Sequence, residues 1–189
     1  IAENTIDVSG ECTHWETVLP TYPKPVYATM AIASNIEDAI SDEWKVIVDT
    51  GSYDFGVARM KLHVTNSNDS SLVRVLHNWV APDAMRQPIQ GLHLHDYRFW
   101  TVEGIFDSTF NSDATVLYDG SSGAYLDSTF FTNNEDILVM LYRATTYDDW
   151  SFADSFTVNK GNSITDKKGS ITIYNLKKGE YSMAIWNSA

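Results

Sequence analysis

The chain has a single cysteine, Cys12, which excludes an internal disulfide framework and a zinc site built from several thiolates. In Gly10-Glu11-Cys12-Thr13-His14-Trp15 that thiol reads as a small, partly buried side chain rather than a reactive nucleophile. Basic residues are also scarce: 13 Lys and Arg face 25 Asp and Glu, a formal net charge of -12. Binding to nucleic-acid phosphates draws its affinity from clustered cations, so no nucleic-acid partner is expected. Long apolar runs are missing too. The longest, Ile137-Leu138-Val139-Met140-Leu141-Tyr142, has the length of a strand and falls far short of the roughly 18 residues of a membrane helix, so no membrane insertion is expected. The sequence opens on Ile1 rather than Met, with neither a charged leader nor an apolar signal region, which reads as a fragment of a longer protein.

What the chain does have is period-two alternation in short runs, punctuated by turn residues at roughly ten-residue intervals. In Phe55-Gly56-Val57-Ala58-Arg59-Met60-Lys61-Leu62-His63-Val64, one face carries Ala58, Met60, Leu62 and Val64, and the other Arg59, Lys61 and His63. Trp44 to Val48 precedes it across a turn at Thr50 to Asp54, and Asn66 to Ser70 leads on into Leu72 to Val80, a sequence that reads as a meander. Ser34 to Trp44, with Ile36-Glu37-Asp38-Ala39-Ile40, is the one stretch with a helical hint, of about two turns.

Pro82 and Pro88 bracket a polar stretch through Gly91 in which a strand would lose ladder hydrogen bonds, so a subdomain boundary is expected there. Further strands are expected over Tyr97 to Glu103, Thr115 to Tyr118, Asp136 to Arg143, Trp150 to Val158, Ser170 to Tyr174 and Glu180 to Trp186. The last pair, Ile171 and Ile173 followed by Tyr181, Met183 and Ile185 across Lys177-Lys178-Gly179, reads as a closing hairpin. The expected fold is all-β and mostly antiparallel with little helix: two tandem sandwich-like subdomains of the immunoglobulin or fibronectin kind, 1–84 and 96–189, joined by a connector over 85–95.

Catalytic chemistry has few footholds. No two of the five histidines stand four apart, so a helical His-Glu-x-x-His zinc motif is absent. In Gly91-Leu92-His93-Leu94-His95-Asp96, His93 and His95 would share a face if the segment is extended and could hold a metal with Asp96, but a further ligand is not evident. His77 alternates with Val73, Val75 and Trp79 and is expected inside, hydrogen-bonded to backbone. Gly120-Ser121-Ser122-Gly123 has the composition of a flexible turn, not of a nucleophile elbow. Carboxylates at Asp119, Glu135-Asp136 and Asp148-Asp149 near strand ends make structural calcium conceivable, without EF-hand spacing. Aromatics are a better clue. Trp79, Trp100 and Trp186 fall within apolar alternation and read as core, whereas Trp15, Tyr147 and Trp150 are expected at the surface, Tyr147 and Trp150 as a stacking platform for a sugar ring.

Several stretches in order carry a resemblance: Ala39-Ile40-Ser41-Asp42-Glu43-Trp44-Lys45-Val46, Thr50-Gly51-Ser52-Tyr53-Asp54-Phe55, Val73-Arg74-Val75-Leu76-His77-Asn78-Trp79-Val80-Ala81-Pro82-Asp83, Tyr97-Arg98-Phe99-Trp100-Thr101-Val102-Glu103-Gly104, Leu138-Val139-Met140-Leu141-Tyr142-Arg143 and Leu176-Lys177-Lys178-Gly179-Glu180-Tyr181. Together they resemble the β-sandwich region that follows the catalytic domain in large secreted or envelope-associated bacterial zinc aminopeptidases of the gluzincin type. The resemblance implies a non-catalytic accessory domain, with zinc held by a parent catalytic domain in the same polypeptide and with a secreted, periplasmic or cell-envelope location. The family's zinc ligands have no counterpart in this sequence, so no catalytic residue carries over. Two other functions stay open: a carbohydrate-binding module for surface glycans, and an autonomous metal-dependent hydrolase at His93, His95 and Asp96.

Overall fold

The computed structural model describes residues 40–121, 127 and 134–187. Cys12, Trp15 and the 34–39 part of the expected helix lie outside them. The chain is all-β, with twelve strands among the described residues: β1 (Ile40–Ile47), β2 (Gly51–Phe55), β3 (Met60–Asn66), β4 (Ser71–Asn78), β5 (Leu92–Leu94), β6 (Phe99–Ile105), β7 (Asn111–Asp119), β8 (Leu138–Arg143), β9 (Ser151–Phe152), β10 (Phe156–Lys160), β11 (Lys168–Ile173) and β12 (Gly179–Trp186). A 3-10 turn at Glu135–Ile137 leads into β8. The strands form a seven-stranded sheet in the order β1-β4-β6-β12-β8-β9, with β5 paired to β12, and a five-stranded sheet in the order β10-β11-β7-β3-β2. Every pairing is antiparallel. The inward faces meet in one core that takes Val73, Val75, Trp100, Val102, Met140 and Met183 from the first sheet and Met60, Leu62, Val116 and Ile171 from the second. Alternation sets these faces: Met60, Leu62 and Val64 are buried, while Lys61 and His63 are exposed.

The pairing differs from the sequence reading in five places. The segment Ile40–Ile47, which begins inside the expected helix, is strand β1, because its alternate residues pack down on β4 over eight register pairs. The expected turn at Thr50 to Asp54 is largely strand β2, and the reversal falls instead at Gly56–Arg59, where Arg59 takes a positive φ of 54 and donates its N–H to the Gly56 carbonyl at 3.3 Å. The meander is not local either. The β2–β3 hairpin crosses to the other sheet, and β1 pairs with β4. The closing hairpin separates in the same way, with β11 in the five-stranded sheet and β12 at the centre of the seven-stranded one.

The fifth difference concerns organisation. Strands from either side of Pro82–Gly91 are neighbours in both sheets, β4 beside β6 and β3 beside β7, so the described residues form one sandwich-like unit rather than two in tandem. The 85–95 connector is a cover. Met85, Ile89, Leu92 and Leu94 pack on Val139, Leu141, Phe152 and Ala184 across the outer face of β12 and β8. Asp149 accepts the N–H groups of Arg86 and Gln87 at 3.1 and 2.7 Å, and β5 adds a short ladder on β12. This explains why seven of the eight residues of β12 are buried: its inner side meets the core and its outer side meets the cover.

Close packing in the sheet depends on Gly104. Its φ of +138 is a conformation that side chains rarely adopt, and a Cβ there would stand 2.0 Å from the Leu72 carbonyl oxygen on β4. Gly51 has a similar φ of +140 with nothing within 4 Å. Gly104→Ala therefore carries both strain and overlap and is expected to cost about 3–5 kcal/mol, whereas Gly51→Ala carries strain alone, about 1–2 kcal/mol. Urea unfolding of the two variants checks the ordering.

Candidate functional site

Two features stand out as functional candidates: a polar seam that ends in a cleft, and a sheet face left uncovered among the described residues. The seam starts with inward alternation on β4 and β6. His77 stacks on Trp100 with ring centroids 4.8 Å apart and planes 4° from parallel, and it lies 4.2 Å from the Trp79 ring. Arg59 caps Trp79 at 4.6 Å, and Arg98 lies 4.9 Å from the Trp100 ring. Trp100 donates its Nε1–H to the Ala58 carbonyl at 2.9 Å, which ties β6 to the turn that precedes β3 in the opposite sheet.

Beyond Trp100 the seam becomes ionic. The Arg98 Nη2 group donates to Asp127 Oδ2 at 2.7 Å and to the Leu117 carbonyl at 2.9 Å. Asp127 also accepts the Asp119 N–H at 2.8 Å and faces His95 Nε2 at 2.9 Å. The Tyr97 N–H donates to His95 Nδ1 at 3.0 Å, so Nδ1 is the unprotonated nitrogen and Nε2 carries the hydrogen given to Asp127. All three side chains are buried. Burial pushes the His95 pKa down despite the Asp127 hydrogen bond, and this keeps the ring neutral. For Asp127, burial alone would raise the pKa; the His95 hydrogen bond and the Arg98 charge outweigh it and hold the carboxyl below its ordinary range. With both ring nitrogens engaged and no exposure, His95 orients Asp127 and has no free nitrogen for a base or a ligand.

The expected metal trio is not assembled. His93 is exposed on β5, the chain leaves the strand after Leu94, and His95 turns inward to Asp127, so the two imidazoles do not share a face; Asp96 is exposed. Among the described residues no group of three or more His, Cys, Asp or Glu side chains is placed to hold a metal ion. The carboxylates considered for calcium are engaged separately: Asp136 with Lys160, Asp148 with Thr145, Asp119 with Ser121 and Lys168, and Glu135 with the Lys167 N–H.

The stacking platform separates as well. Tyr147 is 82% exposed, but Trp150 is only 3% exposed, because its indole packs under the cover, donates to the Asp83 carbonyl at 2.9 Å and lies 4.5 Å from the Arg143 guanidinium. Trp186, expected in the core, is instead exposed at the end of β12 beside Phe152. His77 is buried as expected, yet neither of its ring nitrogens has a hydrogen-bond partner among the described residues.

The second candidate is the outer face of β1, β4 and β6, which the 85–95 cover does not reach and which is bare among the described residues. Cross-strand register sets Val46, Leu72 and Ile105 in one row and Trp44, Arg74 and Glu103 in the next. Trp44 is 64% exposed, Val46 53% and Ile105 73%. Arg74 grips Asp42 through Nε at 2.8 Å and Nη2 at 2.5 Å, and Glu103 through Nη1 at 2.6 Å, so its charge is spent within the face. The result is an apolar row of Val46, Leu72 and Ile105 beside a mixed row in which Trp44 adjoins an arginine paired with two carboxylates. The sequence reading missed Arg98, Asp127, Trp44 and Ile105. Arg98 had a signal: it shares the inward register of Trp100 and Val102, where a cation needs a buried partner.

No protein-family model, curated protein or solved structure matches the chain.

The bare nitrogens of His77 set a testable pH dependence. Burial, with the nearby Arg98 and Arg59 charges, holds its pKa well below the ordinary 6.5. The unfolded chain takes up a proton near 6.5 and the folded chain does not, so stability is present above that value and falls as pH drops below it. Each such histidine contributes a slope of up to about 1.4 kcal/mol per pH unit. His77→Phe removes one of these slopes and two unsatisfied polar atoms, and is expected to raise stability near neutral pH by about 1 kcal/mol. Urea unfolding at about pH 7 and about pH 5.5 reads both effects.

Proposed function

We propose that the chain is a non-catalytic accessory module that packs, through the bare half of its seven-stranded sheet, against the catalytic domain of a bacterial zinc aminopeptidase-type metallopeptidase. In this reading the zinc belongs to the partner domain, and the module shapes access to the catalytic cleft or positions the enzyme in a secreted, periplasmic or envelope setting. The observation that carries it is the contrast between the two halves of one sheet. The outer face of β12 and β8 is sealed by Met85, Ile89, Leu92 and Leu94, whereas the outer face of β1, β4 and β6 leaves Trp44, Val46 and Ile105 open to solvent. Exposed apolar patches of this kind mark protein interfaces, and a tryptophan beside an ion-paired arginine has the composition of an interface centre. The six sequence stretches that resemble the aminopeptidase accessory region name the partner's class.

The carbohydrate-binding alternative retains only Tyr147 of its two aromatics, and a single exposed ring is a poor platform. The interface reading is tested with Trp44→Asp and Ile105→Asp combined. Both positions are exposed, so the unfolding midpoint is expected to stay close to that of the parent chain, while affinity for the separately produced catalytic domain falls at least about tenfold by calorimetric titration. Unchanged affinity in the double variant would rule out this face.

A further inference from the structure

The Gly56–Arg59 turn, which joins β2 to β3, spans the two indole rings that enclose His77. It is exposed apart from Ala58, and three contacts hold it down. Trp100 donates its Nε1–H to the Ala58 carbonyl at 2.9 Å, the Val57 N–H donates to the Glu43 carboxylate at 3.0 Å, and the Arg59 guanidinium lies 4.6 Å from the Trp79 ring. Beneath it His77 stacks on Trp100 and lies 4.2 Å from Trp79, and neither of its nitrogens has a hydrogen-bond partner. The charges around His77 repel a proton. Arg98 and Arg59 face it as cations, and His95 stands nearby. On β1, Ser41 lies opposite His77 and Glu43 follows on the same face, but the Glu43 carboxylate is held by the Val57 N–H and by Lys45 at 2.8 Å. Asp127 is taken by Arg98 and His95. An imidazolium in the closed seam would therefore sit between two guanidiniums with both N–H groups unreceived.

We propose that the Gly56–Arg59 turn is an acid-released flap: protonation of His77 drives it off the Trp79 and Trp100 rings and admits water to the imidazolium, while the two sheets stay paired. The topology permits a local opening. Among the described residues β2 pairs with β3 alone, at the end of its sheet, so the turn lifts without breaking an interior ladder, whereas seven register pairs hold β4 to β6 beneath it. Arg59 also sits at a positive φ of 54, a conformation that a non-glycine residue keeps only while its surroundings hold it, so release relieves the backbone as well as the charge. Gly56 and Arg59 line the cleft of about 730 Å³ at the end of the seam, and release of the turn widens it. The device regulates the seam and is independent of the docking face, since its test needs no partner domain.

The test is hydrogen exchange read by NMR in the full chain, with protection factors corrected for the intrinsic pH dependence of exchange. The Val57 and Arg59 N–H groups are the probes, because both are hydrogen-bonded only while the turn is closed. The open state takes up a proton near the ordinary histidine value of 6.5 and the closed state does not, so opening is favoured as pH falls below that value. Between about pH 7 and about pH 5.5 the two protection factors are expected to drop about eightfold, with amides of β10 and β11 unchanged and with the drop abolished in His77→Phe. Protection at Val57 and Arg59 that does not change with pH in the parent chain would overturn the proposal, whatever the variant does. A drop of equal size in β10 and β11, or one that persists in His77→Phe, would overturn it too.

Discussion

Trp100 is the contact on which the rest of the structure depends. It lies wholly buried on β6, in the middle of the seven-stranded sheet, and its indole N–H reaches the Ala58 carbonyl in the turn before β3 of the opposite sheet. One ring thus spaces the sheets, gives His77 a face to stack on and sets Arg98 beside it. Burying an indole of this size contributes several kcal/mol, more than any single hydrogen bond in the seam. The polar groups nearby are tolerated because this packing holds them in place. Asp127 and the Leu117 carbonyl accept from Arg98 Nη2, and His95 donates to Asp127 in turn. In the seam, the His77 nitrogens and the Arg98 Nε–H have no hydrogen-bond partner among the described residues.

A second constraint is the order of strands. Because β4 lies between β1 and β6, and β3 pairs with β7, the chain on both sides of Pro82 must be present before either sheet is complete. The polar segment between them then has nowhere to act as a linker and folds down on β12 and β8. Its anchoring is specific: Trp150 donates to the Asp83 carbonyl, Asp149 accepts from Arg86 and Gln87, and Arg143 pairs with both Asp83 and Glu180. The same sheet therefore has one dry half and one wet half. That asymmetry is the physical content of the interface reading.

Much of the fold is legible in the sequence because strand faces follow a period of two: the Met60, Leu62 and Val64 face and the strands around Phe99, Leu138 and Glu180 can be read from alternation alone. Pairing partners cannot. Apart from β2–β3, β8–β9 and β10–β11, the paired strands are not consecutive in sequence, so local turn signals suggested a meander and a closing hairpin where the strands part to opposite sheets. The Pro82–Gly91 stretch misleads for a related reason, since prolines and polar residues mark the absence of ladder bonds but do not reveal that Met85, Ile89 and Leu92 find a surface to cover. Site residues divide in the same way. Arg98 is visible as a cation on a buried register, while its partner Asp127 is 29 positions away and outside any strand. Trp150 and Trp186 exchange expected places because burial of a tryptophan near a strand end is decided by what packs over it.

The account's central claim is that the bare half of the sheet is where a catalytic partner domain sits. Hydrogen-exchange mass spectrometry of the chain, alone and with that domain, addresses it without altering a residue. The account predicts slowed exchange concentrated in β1 and its turn into β2, with the covered strands β8 and β9 unchanged. Identical exchange in β1 in both states, or slowing confined to β8 and β9, would contradict it.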